Sequence, residues 1–371
     1  MKGKSDMTNY PVPAHESIMS LSPYVGGASS IKGASRIIKL SSNEGAFGVN
    51  PTALEACRTA AEKMFRYPDG GSNELRRAIA EVHGLEEDRI VCASGSDETI
   101  GLLCHAYLKE GDEIIIPQYA FLMYRLYAIG CGAVAVTVPE KDRRIDVQAI
   151  LDAVTPKTKI VFIANPANPT GTYLPESEIE KLCEGLPSNV MLVLDAAYAE
   201  FVAANDFNAG EKFVRKYPNV VMMRTFSKIY GLGGVRLGWS YASREITDVL
   251  NRVRGPFNVN SIAQAVGAAA VKDRAFVKKC FEHNLKWLEI LQKELPAIGL
   301  TVTPSVTNFI LVDFPARSGK SAAEADEFLK SKGIIVRRVV AYGLPDSLRM
   351  TIGNDEECGL LIDALKEFMA R

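Results

Sequence analysis

Three stretches decide how this chain folds: Lys159–Gly171 (KIVFIANPANPTG), Val190–Tyr198 (VMLVLDAAY) and Val220–Lys228 (VVMMRTFSK). Each opens with consecutive apolar residues rather than an alternating pattern, as a strand does when both faces of a parallel sheet are covered. Each then breaks into polar residues at its carboxyl end. Working outward, Arg89–Ala93 (RIVCA), Glu113–Pro117 (EIIIP) and Ala133–Val138 read the same way. Helical patterns lie between them at Asn73–Val82, Ser96–Tyr107 and Pro175–Gly185, the last opened by a proline suited to a first turn. This alternation predicts an α/β domain over residues 45–270, a mostly parallel sheet sandwiched by helices.

Past residue 270 the pattern changes. A long helical pattern at Phe276–Leu295 leads into TVTPSVTNFILVDF, a helix at Ala322–Lys332, the strands GIIVRRV and LRMTIG, and a last helix. Residues 1–44 and 271–371 are expected to form a smaller α+β domain with an N-terminal arm, its sheet mostly antiparallel. A length of 371 residues with 47% hydrophobic content suits two cores better than one.

Charge is balanced, 43 basic against 44 acidic side chains, without a Lys/Arg-rich run, which speaks against nucleic acid or an anionic membrane as partner. Seven dispersed cysteines without a C-x-x-C pair read as reduced thiols in the cytosol. Four scattered histidines give no metal-ligand spacing, and no metal is expected. No apolar stretch has the length of a membrane span, and the N-terminus lacks a signal-peptide core, so the expected location is cytoplasmic.

The chemistry sits at the strand ends, where open α/β sheets bind ligands. Asp195 closes an apolar run; a carboxylate there needs a cationic partner, unless it is simply a helix cap. Lys228 follows another run within RTFSKIYGLGGVRLGW, and a lysine amine held neutral can join an aldehyde as a Schiff base. Thr225, Ser227 and Arg236 around it offer hydroxyls and a guanidinium fork for a phosphate. GSDET at Gly95–Thr99 joins a strand to a helix start, where free N–H groups bind anions. Two Asn-Pro steps and Gly171 force a rigid turn that fixes the direction of the Asn168 amide.

This ordered set, NPANPTG, then D-A-A-Y, then T-F-S-K with Arg236 beyond it, resembles the fold-type-I aminotransferases. RYPDGGSNELRRAIA, GSDET and PFNVNS extend the likeness over most of the chain. The resemblance implies pyridoxal 5'-phosphate as cofactor, with Lys228 as its covalent anchor and proton carrier, Asp195 on the ring nitrogen, and Tyr198 and Asn168 on the phenolic oxygen. It further implies Tyr119 stacked on the ring, and Ser96, Asp97, Glu98, Thr225, Ser227 and Arg236 around the phosphate. Tyr67 would reach that phosphate from the second subunit of a homodimer.

Within the superfamily, LSPYVGG, IIKLSSNE, VRGPFNVNS and GIIVRRVVAYGLPDSLRMTIG resemble the histidinol-phosphate aminotransferase branch. That implies an amino-group exchange between L-histidinol phosphate and 2-oxoglutarate, run from imidazole acetol phosphate and L-glutamate in the biosynthetic direction, in histidine biosynthesis. Arg349 would hold the substrate's anionic end with Arg337 as helper, Asn43 would lie nearby, and Tyr24 would approach from the partner chain. One planar guanidinium accepts phosphate or carboxylate in bidentate fashion, so a single clamp can serve both half-reactions. Two departures stand out: Ala196 where relatives commonly carry an acidic residue, and Gly45-Ala46 where Asn/Thr-Pro is usual. An aromatic-amino-acid aminotransferase and a threonine-phosphate decarboxylase are the alternatives on the same fold. A transcription regulator is disfavoured because only about forty residues precede the first cofactor-domain motif. A nicotinamide dehydrogenase is disfavoured because YGLGGVRLG lacks the strand–G-x-G-x-x-G–helix context.

Overall fold

The computed structural model describes residue 12, residues 14–23, 26–31 and 33, and residues 36–371. In chain order the strands are β1 (Ile38–Lys39), β2 (Ile90–Ala93), β3 (Glu113–Pro117), β4 (Val134–Val138), β5 (Glu140–Lys141), β6 (Arg144–Ile145), β7 (Thr158–Ala164) and β8 (Met191–Asp195). β9 (Val220–Thr225), β10 (Gly238–Tyr241), β11 (Thr301–Thr303), β12 (Phe309–Asp313), β13 (Ile334–Ile335), β14 (Arg337–Arg338) and β15 (Ser347–Thr351) follow.

Seven of these form one sheet in the order β2-β10-β9-β8-β7-β3-β4. The ladders β3–β4, β3–β7, β7–β8 and β8–β9 are parallel, and β10 runs antiparallel to both β2 and β9. The unbroken apolar runs are explained by burial on both faces. Leu192, Leu194, Val161 and Ile163 point into one core with the helices Asn73–His83, Glu176–Gly185 and Ser261–Lys272. Val193, Met191, Ile160 and Phe162 point into the other, with the helices Ser96–Tyr107, Leu122–Gly130 and Arg244–Val253. A two-residue period therefore divides each strand between two layers of helix.

A second sheet, β11-β12-β15-β14, is antiparallel throughout and shares a core with Trp287, Leu291, Phe328, Leu361 and Phe368. The helix Arg274–Ala297 links the two masses: Cys280 packs in the large core, Trp287 through Leu295 in the small one.

Local readings needed adjustment in three places. GIIVRRV is two short strands: β13 pairs in parallel with β1, and β14 joins the small sheet. Pro175 caps its helix from outside, and the helix starts at Glu176. β10 lies in the glycine-rich run after Lys228 and was missed, because Gly238 carries no side chain to mark a strand and the segment is only four residues long.

Candidate active site

Because β10 reverses direction between β2 and β9, the carboxyl ends of β2, β7, β8 and β9 all open on one edge of the large sheet. A cavity of about 480 Å³ lies there, walled also by Ser42 and Glu44 of the N-terminal segment. Nine residues expected from the sequence line it: Ser96, Asp97, Asn168, Asp195, Tyr198, Thr225, Ser227, Lys228 and Arg236.

Asp195 ends β8 and is buried. Its Oδ2 accepts from the Tyr124 hydroxyl at 2.7 Å, while Oδ1 has no hydrogen-bond partner among the described residues. Burial, only partly offset by that hydroxyl and by the nearby Ala197 N–H, raises its pKa to about 6. A buried carboxylate oxygen left bare is costly, so the site is built for a donor that carries positive charge. Tyr124 is itself held flat against Phe162, rings 4.8 Å apart and 7° from parallel. The sequence reading missed Tyr124. Its hydroxyl lies at a helix position inside PQYAFLMY that only the packing of that helix under the sheet brings to Asp195.

Lys228 donates from Nζ to the Ser42 carbonyl at 3.1 Å and lies 5.7 Å from the centre of the Tyr198 ring. Burial, then the positive charge of Arg349, pulls its pKa down to about 8, so a sizeable fraction is the neutral, nucleophilic amine near pH 7 to 8. The Tyr198 hydroxyl accepts from Asn43 Nδ2 at 2.9 Å, which leaves its own proton available to donate. Asn43 sits in the left-handed region (φ 56°), tied to Thr351 Oγ1 through both its backbone N–H and its Oδ1. It thus orients Tyr198 from behind the cavity wall.

Arg349 on β15 reaches across from the small sheet. It donates from Nη1 to Asn168 Oδ1 at 2.6 Å and from Nη2 to the Ser41 carbonyl at 2.8 Å. Behind Ser96 and Arg236 of the cavity wall the backbone is closely packed. A Cβ on Gly95 (φ 88°) would lie 2.6 Å from Arg236 Nη2, and one on Gly238 would lie 2.3 Å from the Ser96 nitrogen. Arg236 itself is left-handed (φ 58°).

Other expected residues lie elsewhere. Glu98 turns away from the cavity and accepts from the Ser94 N–H and from Asn258 Nδ2. It serves as an internal cap. Tyr119 packs beside Leu311, Val339 and Tyr342, with its N–H on Glu140 Oε1, and the cavity wall nearest it is Phe121 and Met123. Arg337 lies opposite Arg349 across the β14–β15 ladder and lines a neighbouring cavity with Ser22, Pro23 and Arg125. Tyr67 is exposed and stacks on Phe257 at 4.8 Å. Tyr24 lies outside the described residues. The two departures have steric reasons. Ala196 is sealed in the large apolar core, and a Cβ on Gly45 would press 3.2 Å against both Gly231 Cα and the Lys228 carbonyl oxygen.

Fold and cavity together define a class, and the chain belongs to it: residues 35–365 match the family model of aminotransferases of class I and II. Its relatives narrow this to the histidinol-phosphate aminotransferase family. It is 55% identical over 352 residues to a histidinol-phosphate aminotransferase of Paramagnetospirillum magneticum, covering 95% of this chain and 97% of that one. To the enzyme of that name from Rhodospirillum rubrum it is 52% identical, with 95% and 96% covered. The crystal structure of the histidinol-phosphate aminotransferase of Sinorhizobium meliloti, in complex with pyridoxal 5'-phosphate, superposes with a TM-score of 0.85 at 29% identity over 90% of this chain and 92% of that one. An aspartate aminotransferase from Thermus thermophilus, 20% identical, shares the fold with a TM-score of 0.83 over 96% and 100%. Among the described residues no helix is long and apolar enough to cross a membrane.

Proposed function

We propose that this chain exchanges an amino group between L-histidinol phosphate and 2-oxoglutarate, using pyridoxal 5'-phosphate. The observation that carries the chemistry is the pairing, in one cavity, of an amine whose pKa is lowered to about 8 with a buried carboxylate that has one oxygen bare. The relatives at 51–55% identity carry the substrate assignment over an aromatic amino acid or a decarboxylation.

The residues present fit the cofactor. Asp195 Oδ1 is left for a protonated ring nitrogen, and the part of the cavity wall made by Ser96 at a helix start, Thr225, Ser227 and Arg236 offers N–H groups, hydroxyls and a guanidinium to a phosphate. When bound, pyridoxal phosphate supplies an aldehyde for amines and a ring that takes up the electrons released at the substrate Cα. Asp195 would hold the proton on the ring nitrogen. Tyr198, its acceptor site occupied by Asn43, and the NH2 of Asn168, whose oxygen is taken by Arg349, would each be free to donate to the cofactor's phenolic oxygen. Lys228 takes and returns the proton at Cα, its amine already near the protonation balance that general acid–base work requires. Arg349 fixes the anionic end of either substrate, its two donor nitrogens positioned by Asn168 and Ser41.

We further infer a homodimer. Met64, Phe65, Tyr67 and Phe257 are all exposed, an apolar group that a second copy would cover. Tyr67 lies outside its own chain's cavity lining, so its proposed place is at the phosphate corner of the partner.

A single-turnover experiment tests the reading. Cofactor-loaded protein is mixed with L-histidinol phosphate, or with phenylalanine, and loss of the lysine-linked cofactor absorbance is followed. Faster conversion with histidinol phosphate is expected. The reverse order overturns the substrate assignment, and absence of a lysine-linked band after adding pyridoxal phosphate overturns the assignment of Lys228.

A further inference from the structure

Beneath the cavity floor lies an ion pair that the chemistry above leaves unused. Arg224 Nη2 donates to Glu200 Oε1 at 2.7 Å, with side chains only 7% and 11% exposed. Arg224 is the residue of β9 just before Thr225, and Glu200 sits in the short turn Ala199–Phe201 just after Tyr198. The last rung between β8 and β9 is the Ala196 N–H on the Met223 carbonyl. Beyond it the two chains separate, one carrying Tyr198 and the other Thr225, Ser227 and Lys228. The Glu200–Arg224 contact is the charged tie between them past the end of the ladder, beside the apolar packing of Tyr198, Phe201, Phe226 and Ile229 in one core.

The same carboxylate faces the Tyr230 phenol, whose proton is held on by burial first and by Glu200 next. Glu200 therefore touches chain on both sides of Lys228. Arg224 also lies 5.7 Å from the centre of the Trp239 ring, directly opposite it across the β9–β10 ladder. Its Nε finds no acceptor among the described residues. An incompletely satisfied buried pair is a poor stabiliser, and well-packed apolar residues of similar volume commonly do as well or better. What the pair supplies is geometry.

We propose that Glu200 and Arg224 are positioning residues that hold the Lys228 loop in register with the Asp195–Tyr198 turn, so that the amine reaches the cofactor aldehyde. This rests on the assignment of Lys228 given above. The attachment itself joins Nζ to the aldehyde carbon as C=N, the carbonyl oxygen leaving as water.

The test uses cofactor-free full-length protein mixed with pyridoxal phosphate in stopped flow. A fast phase reports non-covalent binding, and a slower phase reports attachment to the lysine. Variants are Glu200→Gln and the double replacement Glu200→Met with Arg224→Met, which removes both buried charges together. In the double variant we expect a melting temperature within a few degrees of the parent, an unchanged fast phase, and attachment slowed about 10- to 100-fold, since small misplacements of reacting groups cost on that order. Glu200→Gln, which keeps a hydrogen-bond acceptor, should fall between the two. Attachment at the parental rate in a folded double variant overturns the proposal. So does parallel loss of stability, binding and attachment in both variants, which marks the pair as structural only. If the parent protein itself shows no slow phase, the Lys228 assignment fails instead, a result separable from the other two.

Discussion

The cofactor half of the cavity and its substrate half are built in different ways. The proposed cofactor half is drawn from strand ends of one sheet: Asp195 closing β8 and Tyr198 beyond it, Thr225 closing β9 with Ser227 and Lys228 beyond it, and Ser96 after β2. Its positions follow from a continuous hydrogen-bonded ladder. The proposed substrate half joins segments remote in sequence and packed from separate elements, with Arg349 of the small sheet, behind the cavity lining, held by Ser41 and by Asn168 of the wall. The first is rigid by construction. The second depends on how the N-terminal segment and small sheet sit on the large one.

Substitutions can break this contrast in order of size. Lys228→Ala should lower turnover by at least about 10³-fold, through loss of both nucleophile and proton carrier, while cofactor still binds non-covalently. Equilibrium dialysis with pyridoxal phosphate and steady-state rates check this, and normal turnover would sink the assignment. Asp195→Asn should cost about 10²- to 10³-fold in the proton-abstraction step, as removal of a positioned electrostatic partner does. A deuterium effect at the substrate Cα locates the loss.

Arg349→Ala sharpens the comparison. Two charge-assisted contacts worth about 1.5–3 kcal/mol each should vanish for histidinol phosphate and glutamate together, measured as about 10²- to 10⁴-fold lower kcat/KM for both half-reactions. Damage to only one half-reaction would contradict the shared clamp.

A pH series tests the cofactor half without mutation. The Lys228 pKa lies near 8, below the 10.5 of a free lysine, so the folded chain favours the neutral amine. Attachment of pyridoxal phosphate should rise close to tenfold per pH unit below 7 and level off above about 8. By linkage, the penalty for burying the charged amine is present below pH 8 and is relieved as pH rises toward 10.5, so this group's contribution to cofactor-free stability increases across that window. A rate still climbing at pH 10 would show that burial does not depress the amine.

The smallest effect is expected from Tyr67→Phe. Loss of one hydrogen bond across the proposed dimer should weaken cofactor retention about three- to tenfold and leave the oligomer intact by light scattering. No change would remove Tyr67 from the partner's site.

The same contrast governs what was legible in the sequence. Runs such as VMLVLDAAY declare both a buried strand and the residue at its end, because the strand period and the strand-end rule are local. Glu98, by contrast, sits in a motif read as an anion site through its backbone N–H groups, a reading that does not fix its side chain, and its carboxylate turns inward to Asn258. Tyr124, Ser42 and the Asn43–Tyr198 bond depend on packing between distant segments, which no local period encodes. Likewise β10 escaped notice: its place between β2 and β9 is set by pairing partners rather than by its own four residues.

Gly95 and Gly238 have a consequence for how this chain can change over time. They belong to adjacent strand ends, and each leaves room that the other loop occupies: one for the Arg236 guanidinium, the other for the Ser96 nitrogen. Adding even one methyl at either position presses on the same corner, so neither can drift alone and neither can be rescued by altering the other. A single added side chain is closed off sterically at this corner, as it is at Gly45, where a Cβ would meet Gly231 Cα and the Lys228 carbonyl oxygen. New specificities should therefore arise around Arg349 and the N-terminal segment, on an anion seat that stays fixed.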